Sequence, residues 1–359
     1  MNATLTPLDL GLLHRLLDVP EHEGPYRLVR SAQQTSGTLA QLVVSLAVRE
    51  GVEPGSGSRD LLTRARSRAA RYAELRAALA DVPGLRVVKG PSLAGHYPPG
   101  TRRPVGDLDV VAPDEERLWR AAAVLCAEGG EPAELSLFTA AGRLQVMLAV
   151  LWPSPDPLME EEIRVELCTA AFSGDFTAVP VRPELPADQV LADLLSVAEE
   201  RFQRAFHAKD AVDLLMLLDS GALEPAAVAA AAVIWRLAPE LVELLDLLST
   251  AVDHPAAEPL RQALAASAAA ETTRRAAVSP PEHEPAGSVA ARLETGRPVW
   301  GMPLTRTARP GDRCVLDHRS CPTLARTPVG DFLLVADELV DPELHAAALA
   351  AVADEEAAV

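Results

Sequence analysis

Apolar residues along the chain follow two regimes, one repeating every three to four positions and the other every two. Leu10, Leu13 and Leu17 keep helical spacing, and the apolar pattern of Gln41–Val48 continues it. A Pro/Gly/Ser stretch over 54–58 separates these from a longer helix over 60–79, striped by Leu61, Ala65, Ala69, Tyr72, Leu75 and Leu79. From Leu85 the period shortens. Leu85–Val88 follows the turn signal Pro83-Gly84 and reads as a buried strand. A second strand over 108–112 has Asp107 and Asp109 alternating against Leu108 and Val110. Asp114 opens a helix with an acidic first turn (Asp114, Glu115, Glu116), which Leu118, Ala122 and Leu125 continue and Gly129-Gly130 stops. Segments 135–138, 144–151 and 163–168 are further strand candidates. This succession predicts an α+β fold: a small mixed sheet with flanking helices, plus helical N-terminal and C-terminal regions. Helical spacing returns over 188–218, which Gly221 ends, and over 225–248. The expected divisions are a helical region 1–80, a core 81–187, a helical domain 188–275, a Pro/Glu/Gly-rich linker 276–298 and a small C-terminal region 299–359.

Composition narrows the classes. The chain has 359 residues, 48% hydrophobic and 23% charged, which suits a folded protein rather than a disordered one. With 33 Lys+Arg against 51 Asp+Glu the net charge is −18, which argues against a broad nucleic-acid surface. The local exception is the helix bearing Arg59, Arg64, Arg66, Arg68, Arg71 and Arg76, readable as a solvated face or as a phosphate-facing surface. The apolar run Ala226–Trp235 falls short of the ~20 residues that span a membrane. Asp9, His14, Arg15 and Asp18 interrupt the first apolar stretch, unlike a secretory signal. The 4 cysteines make no disulfide scaffold, so a cytoplasmic location is expected. Cys126 and Cys168 read as apolar filler. Cys314, His318 and Cys321 offer three soft ligands where a structural zinc takes four.

The chemistry concentrates in Lys89-Gly90-Pro91-Ser92 and in Arg102-Arg103-Pro104-Val105-Gly106-Asp107-Leu108-Asp109. Side chains two apart on a strand share a face, so Asp107 and Asp109 lie together and repel unless a cation sits between them. Oxygen ligands of this kind suit Mg²⁺, and Glu166 on a later strand is the candidate third carboxylate. The small Gly90 and Ser92 after a strand let backbone N–H groups approach a phosphate. His96 beside them is expected as a pocket wall. Ser92 has no His/Asp partners at any recognised spacing for a hydrolytic triad. Phe202, Phe206, Lys209 and Asp213 fall at i, i+4, i+7 and i+11, so they share one helix face.

These residues resemble the uncharacterised nucleotidyltransferase family of the DNA polymerase β-like superfamily: Lys89-Gly90 closing a strand, Tyr97-Pro98, Arg103-Pro104, then Gly106, Asp107 and Asp109. Gly90-Pro91-Ser92 departs from the Gly-Gly or Gly-Ser that the superfamily favours. The resemblance implies Mg²⁺-dependent transfer of a nucleoside monophosphate from a nucleoside triphosphate such as ATP to a hydroxyl, with pyrophosphate released. Asp107, Asp109 and Glu166 would be catalytic and hold two Mg²⁺ ions. Lys89, Gly90, Ser92, Arg103, Lys209 and Asp213 would contact the nucleotide. Lys209 and Asp213 are similar to an Arg/Lys-Asp-x-x-Asp motif in toxin-type relatives. The expected acceptor is a small molecule or peptide, with tRNA as a toxin-like alternative and no membrane partner. The rival expectation is a non-catalytic nucleotide-sensing or protein-interaction scaffold of the same fold.

Overall fold

The computed structural model describes residues 8–278, 288–317, 322–336 and 340–358. Its centre is a mixed sheet built from β1 (Arg86–Val88), β2 (Asp107–Val111), β3 (Glu131–Ala140), β4 (Arg143–Trp152), β5 (Ile163–Cys168), β6 (Val299–Pro303), β7 (Val315–Asp317), β8 (Leu324–Thr327) and β9 (Gly330–Val335). The nine strands lie in the order β1-β2-β5-β4-β3-β6-β9-β8-β7. Neighbours are antiparallel except β2 and β5, which run parallel. The C-terminal strands therefore continue the central sheet, because Ser136 of β3 pairs with Trp300 of β6. The boundary expected at 299 does not separate two sheets.

Thirteen helices surround the sheet among the described residues. The N-terminal four are α1 (Leu10–Leu16), α2 (Gly24–Thr35), α3 (Leu39–Arg49) and α4 (Ser56–Ala78). Within the sheet region come α5 (Gly90–Ala94) and α6 (Glu115–Ala127). Then follow α7 (Gln189–Glu199), α8 (Ala208–Asp219), α9 (Pro225–Trp235), α10 (Ala238–Ser249), α11 (Ala257–Ala276), α12 (Val289–Glu294) and α13 (Pro342–Ala358). None is long and apolar enough to cross a membrane among the described residues.

Packing divides the chain differently from its sequence order. Leu12, Leu28 and Leu42 of α1–α3 share one core with Leu195, Leu215 and Leu244 of α7, α8 and α10. Tyr72 and Leu75 of α4 instead join the sheet core, with Leu108, Trp119 and Leu148. The helical region 1–80 is thus split between two cores. Leu333 and Val335 of β9 pack with Ala348 and Val352 of α13 in a third, smaller cluster. The expected linker 276–298 contains α12, whose Val289 and Leu293 bury against the sheet; residues 279–287 within it lie outside the described residues.

Local signals explain several ends. Asp114 caps α6, its Oδ1 accepting the Arg117 N–H at 2.9 Å. Asp114→Ala should therefore lower stability by about 1 kcal/mol, read as a shift in the urea midpoint at constant slope; an unchanged midpoint would show the cap to be idle. The continuous helix expected over 188–218 is broken at 200–207. Asp210 accepts the His207 N–H at 2.9 Å and two bonds from Arg204 at 2.7 and 2.9 Å, which starts a new helix. The helix expected over 225–248 is also two, because Arg236 adopts a left-handed conformation (φ 57°) that ends α9.

Candidate active site

Strand alternation sets the site. β2 drives Leu108 and Val110 into the sheet core and leaves Asp107 and Asp109 on the opposite, half-buried face. On the parallel neighbour β5, Glu166 lies in register with Asp109 and Arg164 with Asp107. The three carboxylates expected to act together therefore share one face of two adjacent strands.

The register is pinned from beneath by α4. Arg68 turns inward and its guanidinium donates to the carbonyls of Glu161 (2.8 Å), Glu162 (2.5 Å) and Gly106 (3.0 Å). Tyr72 Oη donates to Gly106 O at 2.5 Å and accepts the Arg164 N–H at 3.4 Å. One helix thus holds the entries to both carboxylate-bearing strands. Other arginines of α4 are engaged locally: Arg59 with Pro54 O, Arg64 with Asp60 and Glu160, Arg71 with Glu74.

Lys89 sits where β1 turns into α5, at a positive φ of 54° that side chains rarely adopt. Asp193 of α7 secures this turn, its Oδ1 accepting the Lys89 N–H at 2.8 Å and its Oδ2 the Ser92 hydroxyl at 2.6 Å. The Lys89 ammonium lies 3.3 Å from Asp109 Oδ2 and 2.5 Å from Glu200 Oε1. Burial pushes the Asp109 carboxyl up, Asp107, Glu166 and Glu200 push it further, and Lys89 only partly offsets them, so it reaches about 7. Burial alone would depress Lys89, but Asp109, Glu200 and Asp107 outweigh it and hold the ammonium well above its ordinary value. For Glu200 burial raises the carboxyl, yet Lys89 and Arg204 bring it below the usual range.

The cleft therefore gathers Asp107, Asp109, Glu166 and Glu200 around Lys89. Hard oxygen donors in excess suit a divalent cation chemically. Among the described residues, however, no group of three His, Cys, Asp or Glu side chains is gathered closely enough to hold a metal. The reason is local. Lys89 holds Asp109, and Arg164 Nε donates to Glu166 Oε1 at 2.7 Å while its other nitrogens bind Glu134 at 3.1 and 2.7 Å.

The other expected nucleotide contacts divide. Arg103 and Asp213 are buried in a bidentate pair, Nε to Oδ1 and Nη2 to Oδ2 both at 2.7 Å, with side chains only 2% and 1% exposed. Tyr97 Oη adds a third bond to Asp213 at 2.6 Å, and Arg103 Nη1 reaches Gly90 O at 3.2 Å. This pair is an internal brace between the 97–104 loop and α8. The Ser92 hydroxyl is likewise committed to Asp193. Gly90 serves close packing, since a Cβ there would lie 3.2 Å from Asp107 O.

Lys209 is different: it has no hydrogen-bond or ion-pair partner among the described residues. Burial, then Arg103, lowers its ammonium below the ordinary value, while Asp213, Asp107 and Glu200 pull the other way. Two of these carboxylates, Asp107 and Glu200, also act on Lys89. Phe202 and Phe206 precede α8 and do not extend its face as the expected stripe required. His96 is half-buried near Asp193, and Cys168, also half-buried, shares the Glu166 face. Cys314 is a free thiol, and His318 and Cys321 of the zinc reading lie outside the described residues.

Sequence reasoning missed Gln189, Asp193, Glu200, Arg164 and Arg68. A signal existed for the first three: Gln189, Asp193, Ser196 and Glu200 form an i, i+4, i+7, i+11 polar stripe in a segment otherwise apolar but for Glu199. A mixed α+β fold with an acidic cleft at a strand-to-helix turn is as far as architecture classifies the protein. No family model, curated protein or solved structure matches the chain.

Proposed function

We propose that this cleft is the active site of a metal-dependent nucleotidyltransferase. The supporting observation is the register of Asp109 with Glu166, which sets Asp107, Asp109 and Glu166 on one face opposite Lys89. In this reading an acceptor hydroxyl attacks the α-phosphorus of a nucleoside triphosphate; the new P–O bond forms as the bond to the β-phosphate oxygen breaks, and pyrophosphate leaves. Asp107, Asp109 and Glu166 would hold Mg²⁺, which when bound neutralises phosphate charge and polarises the reacting oxygens. Lys209, with no partner of its own, and Lys89 supply positive charge for the phosphates. Glu166 within hydrogen-bond reach of an acceptor would take its proton. Arg103, Asp213 and Ser92 keep structural roles.

The acceptor is best read as a small molecule or peptide. Arg64 and Arg71 are paired with carboxylates and Arg68 is buried, which interrupts the basic face of α4 that a tRNA would need. The scaffold reading draws on one observation, the Lys89 ammonium lodged between Asp109 and Glu200 where a metal would compete with it.

The test is calorimetric titration of each of the four nucleoside triphosphates with and without Mg²⁺, followed by pyrophosphate detection in an acceptor screen. Saturable, Mg²⁺-dependent binding and pyrophosphate release are expected. Binding without turnover across acceptors would favour the sensor, and a nucleoside diphosphate product would indicate γ-phosphoryl transfer instead. Absence of binding to all four would overturn the transferase reading.

A further inference from the structure

A cavity of about 500 Å³ opens at the edge of the sheet, between the end of α4, the outer edge of β1 and the start of α7. Its apolar wall includes Leu79, Val82, Val87 and Val110. Val87 and Val110 are register partners one position from Val88 and Asp109, so strand alternation points them away from the carboxylate cleft. The cavity is therefore turned away from the carboxylates, but it abuts the Lys89 turn, because Ser92 and Gln189 also line it.

Its charge is unusual for this chain. Against a net charge of −18, no Asp or Glu lines it among the described residues, while Arg76 and Arg86 do. The Arg86 guanidinium donates to neutral acceptors, the Pro186 carbonyl and Gln189 Oε1, and among the described residues no carboxylate pairs with it. Arg76 is exposed at the rim and has no hydrogen-bond or ion-pair partner among the described residues. Two uncompensated guanidiniums beside a few apolar side chains make a pocket of mixed polarity, in which the polar groups can fix an anion and the apolar wall a small hydrocarbon body. Arginine forks favour carboxylate and phosphate oxygens in particular.

We infer that this cavity binds an amphipathic organic anion, a compact apolar body carrying one carboxylate or phosphate, with the anionic end between Arg76 and Arg86. The polar rim joins the rest of the molecule through Gln189, whose Nε2 donates to Val87 O at 3.0 Å and to Ser92 Oγ at 3.2 Å. An occupant there would thus sit against the same hydrogen-bonded group that fixes the Lys89 turn.

The test uses the full chain and three probes of one chain length: octanoate, octyl phosphate and 1-octanol, titrated calorimetrically. At least one anion should bind saturably and at least about tenfold more tightly than octanol. The preferred anion assigns the headgroup. Arg76→Glu, at an exposed position without a partner, should keep the wild-type melting temperature, weaken the anion about tenfold and leave octanol unchanged. Arg76→Lys should retain part of the affinity. No saturable binding of either anion, equal binding of octanol, or an anion affinity indifferent to Arg76→Glu would overturn the inference.

Discussion

Asp109→Asn is expected to reduce Mg²⁺-dependent pyrophosphate release by about 10²–10³-fold while leaving the protein folded. The amide matches the carboxylate in shape but carries no charge, so it neither draws a cation between β2 and β5 nor opposes phosphate charge. Folding should survive because this carboxyl is half-buried and pushed up to about 7, so holding it ionised costs free energy in the native state. Lys89 keeps its contact to Glu200 at 2.5 Å and is not left unpaired. Comparison of release rates with melting temperatures separates the two effects. Full activity in Asp109→Asn would remove the β2 carboxylates from the mechanism, and loss of fold would make the position structural.

Breaking the Arg103–Asp213 pair should be the most damaging single change to stability. Arg103→Met leaves Asp213, whose side chain is 1% exposed, with only the Tyr97 hydroxyl among the partners described above. Removing one member of a buried pair typically costs about 3–5 kcal/mol, because the survivor's charge stays buried without compensation. The urea midpoint should fall accordingly. Arg103→Met combined with Asp213→Leu should recover much of the loss, since replacing both partners leaves no orphaned charge. The same pair of variants tests the role of Arg103. A brace changes stability and spares triphosphate affinity in the remaining folded protein. A phosphate ligand would do the reverse, with weakened binding and an unchanged midpoint.

The sheet-forming half of the site was legible because strand periodicity is local. Alternation of Asp107 and Asp109 with Leu108 and Val110 put both carboxylates on one face, and Ile163–Cys168 carried Glu166 in the same manner. The α6 cap at Asp114 was equally visible, since a capping side chain reaches only to the first turn of its own helix. The break at 200–207 was not, because no glycine or proline marks it. It depends on Arg204 and Asp210 finding each other across the bend. With that break the assumed face of Phe202, Phe206, Lys209 and Asp213 came apart, and Lys209 and Asp213 acquired opposite fates: one faces the cleft without a partner, the other closes a buried pair.

The arginines show the same division. A run of six in and beside one helix suggests a surface, and spacing alone offers no way to tell which one turns inward. Arg68 does so because the entries of β2 and β5 present three carbonyls that need donors. Periodicity by itself determined the α+β class, most strands and the shared face of the β2 carboxylates, because each follows from neighbours a few residues apart. Which charges meet was decided only by the tertiary structure. Lys89 with Asp109 and Glu200, Arg164 with Glu166, and Arg103 with Asp213 pair through space, and burial sets a strong demand that each charge find a partner.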